Sequence, residues 1–363
     1  MSRKAISILI WLLIANYSAF AQEVRIGVLG LFRPQQLILT APLGTTVVVR
    51  AGSNSIVLEA SAGYDLARLT TFRDELFLEV GEVKFSAHEI HAASPADAAV
   101  EFQLAIPGKI CRSYHGTLDV RSSSGVLEPV VGMDLETAVA SAVLAESAPR
   151  APMEELKAQA VATRSYYISA KARHRDFDFC DTTHCQFLRQ PPAEQNDSWH
   201  ATMATRGLVL EYLGRPIAAM FTRSCGGTTR TPADLSMTTD GYPYFAIDCS
   251  YCRREPVRWQ TRVSLADAHE LIQGGEAARL RIDRRLGWRV VPSNNFDVHA
   301  ENSWANLEGT GEGHGIGMCQ RGATSMAEAG ARYREILDFY YPNTDIVSAV
   351  SVSIEARRLP SKH

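Results

Sequence analysis

Residues 24–120 contain short runs in which apolar residues, many of them β-branched, alternate with polar ones. This alternation is typical of strands with one buried face. Glycine, proline and asparagine separate the runs at short intervals, as turns between strands require. The clearest runs are residues 24–28, 46–49, 55–58 and 76–80. They predict a β-rich region without evident chemistry, which serves as a scaffold or a docking surface.

Helix-forming residues replace the alternating runs after this region. Asp134 can cap a helix that begins at Leu135, and the alanine-rich segment that follows is a strong helix former. Pro149 and Pro152 prevent the helix from continuing. Glu146 is therefore expected at the helix end or just past it.

A second helix is predicted over residues 153–173, because glutamates occupy its first turn and basic residues its last turn, as the helix dipole favours. Lys157 and Arg164 are separated by two helical turns and share a face. We expect these two cations to lie along a groove, where they can bind carboxylates. Farther along the chain, residues 207–212 and 216–222 flank a glycine-containing turn and predict a hairpin.

The first 21 residues have the organisation of a secretory signal peptide. Two basic residues precede an apolar run over residues 6–14, and Ala19 and Ala21 supply the small side chains of a cleavage site. The run is shorter than the ~20 residues that a membrane span needs. We therefore expect an exported chain that acts in the periplasm or cell envelope.

Charge and cysteine content narrow the functional classes. The formal net charge of −3 gives no electrostatic reason to expect nucleic acid as a partner. The seven cysteines of an exported chain are expected in disulfides or metal sites, and their odd number leaves at least one thiol free or metal-bound. Cys249 and Cys252 can form a redox pair, half of a metal site or a disulfide. A structural bridge or pairing with another cysteine is favoured, because no thioredoxin-like sequence surrounds them.

A group of histidines and cysteines follows the second predicted helix. His174, Cys180 and Cys185, with His184 as a fourth candidate, are ligands of the kind that zinc selects, although their spacing is not that of a common zinc finger. The alternatives are a disulfide between Cys180 and Cys185, or two reduced buried thiols.

Two later stretches are rich in glycine. In the first, Ser224 precedes Gly226 and Gly227, which permit positive φ angles and close approach of a ligand to the backbone. The second carries His314 and Gln320, which can hydrogen-bond sugar hydroxyl or acetamido groups. It lacks the Lys-Ser/Thr ending of a phosphate-binding loop.

Four separated motifs occur in the order found in the stage II sporulation protein D (SpoIID/LytB) family, and the chain resembles that family from about residue 113 to residue 344. The motifs are residues 146–167, 180–186, 224–228 and 314–323. Members of known activity are lytic transglycosylases that cut peptide-free peptidoglycan strands, and some hold zinc through one histidine and two cysteines near the second motif. The resemblance maps the family's essential glutamate onto Glu146. Many members continue with Met-Pro after this glutamate, whereas this chain continues with Ser-Ala-Pro.

This resemblance implies cleavage between N-acetylmuramic acid and N-acetylglucosamine. A single acid/base, Glu146, suffices because the muramoyl C6 hydroxyl is an internal nucleophile that closes a 1,6-anhydro ring, and the chemistry requires no cofactor. Burial must raise the pKa of Glu146 for it to donate a proton near neutral pH. A zinc ion would be structural. The residues expected to bind substrate are Lys157, Arg164, Ser224, Gly226, Gly227, His314 and Gln320.

Other family members were first described as non-catalytic modules that enhance an N-acetylmuramoyl-L-alanine amidase, and this is the alternative function. In both cases the expected partner is the glycan strand. We predict an α+β fold in which a β-rich amino-terminal lobe packs on a mixed catalytic lobe with two helices, a hairpin and a glycine-rich turn around a groove. The predicted segments are a signal peptide (1–21), a β-rich domain (22–125), a catalytic domain (126–345) with an insertion (257–304), and a tail (346–363). Within the insertion, a helix at residues 266–272 and an arginine-rich, solvated strand at residues 279–291 are expected.

Overall fold

The computed structural model of the chain describes residues 22–170, 173–238 and 241–349. The predicted signal peptide lies outside the described residues, as does the tail beyond residue 349. The described residues form seven α-helices and twenty strands, and strands dominate the amino-terminal region, so the predicted α+β class is confirmed. None of the described helices is both long and apolar enough to cross a membrane.

Twelve strands form one large sheet. They are β1 (Glu23–Gly27), β2 (Gln36–Thr40), β3 (Thr46–Ala51), β4 (Asn54–Glu59), β5 (Leu66–Phe72), β6 (Glu75–Val80), β7 (Val83–Ala87), β8 (Glu89–Ala93), β9 (Val100–Ile106), β10 (Ile110–Ser123), β11 (Val126–Asp134) and β12 (Phe179–Cys180). The main path runs β12-β1-β11-β10-β9-β2-β5-β6-β7, while β8 pairs with β10 and β3, and β4 pairs with β3. The four clearest alternating runs coincide with β1, β3, β4 and β6.

The long strand β10 connects the two parts of this sheet. Its first half pairs with β9 and its second half with β8 and β11. Alternate side chains of β10, such as Tyr114 and Leu118, are buried in the core, as the period of a strand requires. The predicted boundary at residue 125 falls in the turn between β10 and β11. Because β11 pairs with β10, the large sheet continues past this boundary to Asp134.

The α-helices are α1 (Leu135–Glu146), α2 (Met153–Ser169), α3 (Asp197–Ala204), α4 (Ser250–Arg254), α5 (Leu265–Leu286), α6 (Gln320–Glu328) and α7 (Tyr333–Tyr340). Helix α1 begins at the predicted residue, because the Asp134 carboxylate accepts the backbone N–H groups of Glu136 and Thr137 at 3.0 and 3.2 Å. Helix α2 ends before its predicted limit at residue 173. There the chain turns back toward the sheet, and the N–H of Arg173 donates to the carbonyl of Asp178 at 3.1 Å.

The remaining strands are β13 (Leu208–Tyr212), β14 (Arg215–Pro216), β15 (Phe221–Thr222), β16 (Arg258–Ser264), β17 (Phe296–Glu301), β18 (Trp304–Thr310), β19 (Met318–Cys319) and β20 (Asp345–Ser348). Strands β13 and β14 form the predicted hairpin, but its second arm is short, because β15 leaves it to pair in parallel with β19. Strand β20 pairs with β13, so the first residues of the predicted tail belong to a sheet.

The predicted insertion forms a sheet of order β16-β18-β17 with the long helix α5. The prediction of a strand at residues 279–291 is wrong, because α5 continues to Leu286. Arg279 explains the difference. It is buried and pairs with Glu276 at 2.6 Å and Asp283 at 3.3 Å, partners that only helical spacing brings within reach. Helix α5 bends at Gly275, where φ is 50° and a Cβ atom would lie 2.3 Å from the Leu235 carbonyl oxygen.

Candidate active site

A cavity of about 440 Å³ lies at the carboxyl end of α1. Glu146, His314 and Gln320 line it, as do the residues that follow the hairpin. One wall comes from the insertion, which contributes Trp288 and Arg289 among others. The insertion therefore helps to form the cavity in addition to presenting charges to solvent.

Glu146 is the last residue of α1, and the structure fixes it at both its side chain and its backbone. Its Oε1 accepts the backbone N–H of Phe187 at 2.7 Å. Its carbonyl oxygen accepts the side-chain amide of Gln320 at 3.1 Å, and Gln320 also donates to Gln159 at 3.2 Å. Within the described part of the chain, no hydrogen bond engages Oε2, which leaves this oxygen to exchange a proton.

Burial raises the pKa of Glu146 to about 7, against its usual value of 4.5. The Phe187 N–H and the charges of Arg223 and Arg189 lower the pKa, but together they do not cancel the effect of burial. Glu146 is therefore about half protonated near neutral pH, as a general acid requires.

The other carboxylates that line the cavity form ion pairs with arginines. Glu312 lies 2.8 Å from Arg289, and Glu276 lies 2.6 Å from Arg279, which also contacts Asp283. Burial opposes ionisation of Glu276, but Arg279 holds its pKa below the usual value. Among the described residues that line the cavity, Glu146 is the only carboxylate outside ion-pair distance of an arginine.

His314 lines the same cavity in a neutral state. Its Nδ1 accepts the N–H of Ile316 at 3.0 Å, so the ring proton lies on Nε2. Burial lowers the pKa of His314, which favours this neutral form. A hydrogen bond to the Phe221 backbone opposes this effect and engages the ring N–H, so both ring nitrogens already have protein partners.

Arg164 does not lie along a groove, and that prediction is wrong. Its side chain is fully buried and binds both carboxylate oxygens of Glu136 at 2.5–3.1 Å. Its remaining N–H groups donate to the carbonyls of Leu208 and Thr202 at 3.1 and 3.2 Å. The charge thus joins α1, α2 and the start of β13, and none of it is available to a ligand.

Other predicted substrate residues also lie away from Glu146. Lys157 pairs with Glu154 at 2.6 Å and does not line the cavity. Ser224 is buried, which contradicts a direct contact with substrate. Gly226 and Gly227 line a second cavity of about 570 Å³ instead.

The structure supplies cavity residues that the sequence did not indicate. Arg223 and Arg289 both flank Glu312, at 3.4 and 2.8 Å, and both remain more than half exposed. Trp288 adds an exposed aromatic surface beside them. Arg223 directly precedes the first glycine-rich stretch, and this adjacency was the one available signal.

His174, Cys180, His184 and Cys185 come together in what we call the His–Cys cluster. One ligand atom from each lies within 4.8 Å of all the others. His174 Nε2 is 3.3 Å from Cys185 Sγ, and His184 Nδ1 is 3.5 Å from the same sulfur. Both cysteines are free thiols in the structure. The set offers four donors of the type and number that a structural zinc ion takes.

This cluster adjoins the catalytic candidate. His184 and Cys185 line the Glu146 cavity, and Phe187, which holds Glu146 Oε1, lies two residues beyond Cys185. A metal bound here would fix the segment that positions Glu146.

A family model described as Stage II sporulation protein (SpoIID) matches residues 123–212, which contain Glu146 and the His–Cys cluster. An uncharacterised protein of Brachyspira hyodysenteriae is 30% identical over 278 residues, which are 67% of this chain and 74% of that protein. Stage II sporulation protein D of Bacillus amyloliquefaciens is 25% identical over 268 residues, 61% of this chain and 76% of that protein. The chain belongs to the stage II sporulation protein (SpoIID) family.

Membership in the SpoIID family confirms the resemblance read from the four motifs. A shorter match joins the chain to the amidase enhancer of Bacillus subtilis, at 46% identity over 63 residues, which are 17% of this chain and 9% of that protein. The SpoIID family model ends before both glycine-rich stretches. The side of the cavity that carries His314 and Gln320 therefore lies outside the region that the family model matches.

Proposed function

We propose that this SpoIID-family chain is a lytic transglycosylase that cleaves peptide-free peptidoglycan strands between N-acetylmuramic acid and N-acetylglucosamine. The observation that carries the proposal is the position of Glu146. It ends a helix at the wall of a cavity, and burial raises its pKa to about 7. Among the described residues it has no ion-pair partner, whereas the neighbouring carboxylates do.

In the proposed reaction, Glu146 Oε2 gives its proton to the bridging oxygen as the bond from that oxygen to muramoyl C1 breaks. The C6 hydroxyl then bonds to C1, and Glu146 takes the hydroxyl proton. The product is a 1,6-anhydromuramoyl end, and the carboxyl returns to its starting state. A second carboxylate, which hydrolytic glycosidases commonly use, is not needed.

Arg223 and Arg289 take the role that was expected of Arg164. Each muramic residue of a peptide-free strand exposes a lactyl carboxylate, and an exposed guanidinium can bind it through two hydrogen bonds. Both arginines lie at the cavity and share Glu312, so a substrate carboxylate would compete with an internal one. Trp288 provides an apolar face on which a sugar ring can rest.

Purified protein incubated with peptide-free glycan strands tests the function. We expect 1,6-anhydromuramoyl ends, detected by mass spectrometry, without any added protein. Reducing ends in their place would show a hydrolase. Binding without product, together with stimulation of an added N-acetylmuramoyl-L-alanine amidase, would establish the enhancer function that the name of the B. subtilis relative suggests.

We also propose that the His–Cys cluster holds a structural zinc ion through His174, Cys180, His184 and Cys185. The four donors match the preference of zinc and leave no open position for a reactant. The hydrogen bond from Cys185 lowers the pKa of Cys180 to about 3, which favours the thiolate that binds metal. When bound, the ion would cross-link the segment that leads to Phe187.

We expect the protein to be exported and to act in the periplasm or cell envelope.

His174→Ala should lower the bound zinc by about one equivalent per chain, because it removes one of four ligands. Metal content of protein purified without chelator is the measurement. Cys111→Ser is the matched control, since Cys111 is exposed and belongs to no metal-ligand cluster in the described chain. A disulfide-linked peptide joining Cys180 to Cys185, with zinc unchanged in His174→Ala, would contradict this site.

A further inference from the structure

Four cysteines that are distant in sequence meet in the interior of the chain. Cys225, Cys249, Cys252 and Cys319 are all buried, and their sulfur atoms lie within 4.8 Å of one another. The sulfurs of Cys252 and Cys319 are 3.4 Å apart. We call this group the four-cysteine cluster.

The arrangement has the geometry of one tetrahedral centre. Zinc–sulfur bonds of about 2.3 Å place the sulfurs of a tetrahedron about 3.8 Å apart, within the range seen here. Two disulfides would instead divide the sulfurs into two pairs, each at about 2.0 Å. Cys249 and Cys252 also have the C-x₂-C spacing that structural zinc sites use, and they lie at the start of α4.

Hydrogen-bond donors surround the sulfurs, as around metal-bound thiolates. Cys319 Sγ accepts the backbone N–H groups of Cys225 and Gly322, each at 3.4 Å. The Tyr340 hydroxyl lies 3.4 Å from Cys249 Sγ. A Cβ atom at Gly322 would lie 2.8 Å from that same sulfur, so a side chain at this position would displace the cluster.

We propose that the four-cysteine cluster is a second structural metal site, which binds one zinc ion through four thiolates. It joins three segments of the chain: the first glycine-rich stretch, α4, and the start of α6. Soft thiolate ligands in a closed tetrahedral set select zinc over hard cations. The site holds a buried metal and takes no part in the chemistry.

The site has a direct structural route to Glu146. Cys319 caps α6, and the next residue is Gln320, whose side chain donates to the Glu146 carbonyl oxygen at 3.1 Å. The His–Cys cluster holds the other side of Glu146 through Phe187. With both metals bound, the two sites would stabilise the hydrogen bonds that Phe187 and Gln320 make to Glu146.

The test is the metal content of full-length protein purified without chelator. We expect about two zinc equivalents per chain in the wild type and about one in Cys252→Ser, whereas Cys111→Ser should keep both. Alkylation after denaturation with a chelator, without reductant, should modify all four cysteines of the cluster. Cysteines that resist alkylation until reductant is added would show disulfides, and iron in place of zinc would exclude a zinc site. Either result overturns the proposal.

Cobalt(II) provides a measurement that does not depend on the folding of Cys252→Ser. The double variant Cys180→Ser/Cys185→Ser removes the His–Cys cluster, so cobalt that it binds after zinc removal reports on the four-cysteine cluster alone. We expect the intense visible bands and sulfur-to-cobalt charge transfer of a tetrahedral tetrathiolate centre. A spectrum of octahedral, oxygen-ligated cobalt, or no bound cobalt, would overturn the site.

Discussion

Glu146→Gln is expected to lower the rate of 1,6-anhydromuramoyl release by about 10²–10⁴-fold, the usual contribution of a general acid. Glutamine preserves the shape of the side chain, and its carbonyl oxygen can still accept the Phe187 N–H. It carries no proton that can be given to the leaving oxygen. Product release from peptide-free strands, measured by mass spectrometry at constant protein concentration, gives the rate.

Glu154→Gln is the matched control. Glu154 lies in the first turn of α2, pairs with Lys157, accepts the N–H of Tyr333 and does not line the cavity. The control should retain product release within about twofold, because the interaction of this partly exposed pair is weak and lies away from the cavity. A Glu146→Gln variant that is folded and releases product at the wild-type rate would exclude Glu146 as the acid.

The pH dependence follows from the same carboxyl. The protonated form of Glu146 is the active one, so the wild-type rate should be highest below about pH 7 and fall about tenfold per unit above it. Because Glu146 is buried, its ionisation also lowers the stability of the folded protein. The unfolded chain ionises near pH 4.5, whereas the folded chain keeps the proton until about pH 7, so stability declines as pH rises through this window.

Glu146→Gln removes that decline. At pH 8 the variant should be more stable than the wild type by up to about 3 kcal/mol, and near pH 4.5 the two should agree. Denaturation at both pH values separates lost chemistry from lost structure. An inactive variant that is also less stable at pH 8 would indicate a misfolded site.

Local signals in the sequence were sufficient for the helix that carries Glu146. A capping aspartate and two prolines lie within a few residues of its ends, and both act through nearby backbone groups. The His–Cys cluster was also predictable, because its four residues lie within one short segment. The same holds for the alternating strands of the amino-terminal region.

The four-cysteine cluster was not predictable as a whole. Only the C-x₂-C pair of Cys249 and Cys252 is local, while Cys225 and Cys319 are 94 residues apart and meet through the pairing of β15 with β19. The insertion shows a different limit. An arginine-rich strand was expected from residue 279, but these residues form a helix in which Glu276 and Asp283 pair with Arg279.

Arg164 illustrates why the periodicity of a helical sequence does not predict the solvent exposure of a side chain. The spacing of Lys157 and Arg164 correctly places them on one helix face, but it does not say what covers that face. The helix face is partly exposed to solvent at Lys157. At Arg164 it is covered, and the side chain binds the carboxylate of Glu136 and the carbonyl of Leu208. The partners are 28 and 44 residues away in sequence, so no local pattern identifies them.

Arg164→Met should lower the free energy of unfolding by about 3–5 kcal/mol, because it leaves the buried Glu136 carboxylate without its counter-charge. Lys157→Met, on the same face of α2, should change it by less than about 1 kcal/mol, since Lys157 and Glu154 form a partly exposed pair. Chemical denaturation of both variants gives the comparison. Replacing both partners, in Arg164→Met/Glu136→Leu, should recover a substantial part of the loss, because no buried charge remains uncompensated.

The double variant also separates the structural role of Arg164 from a role in binding. If Arg164 acts only through the fold, the folded double variant binds peptide-free strands like the wild type, and glycan binding is lost when Arg223 or Arg289 is replaced instead. If the arginine contacted substrate, Arg164→Met would have wild-type stability and weakened binding, a result opposed by its full burial and its contacts with Glu136, Leu208 and Thr202. Denaturation midpoints and equilibrium binding to the same strand preparation distinguish these outcomes.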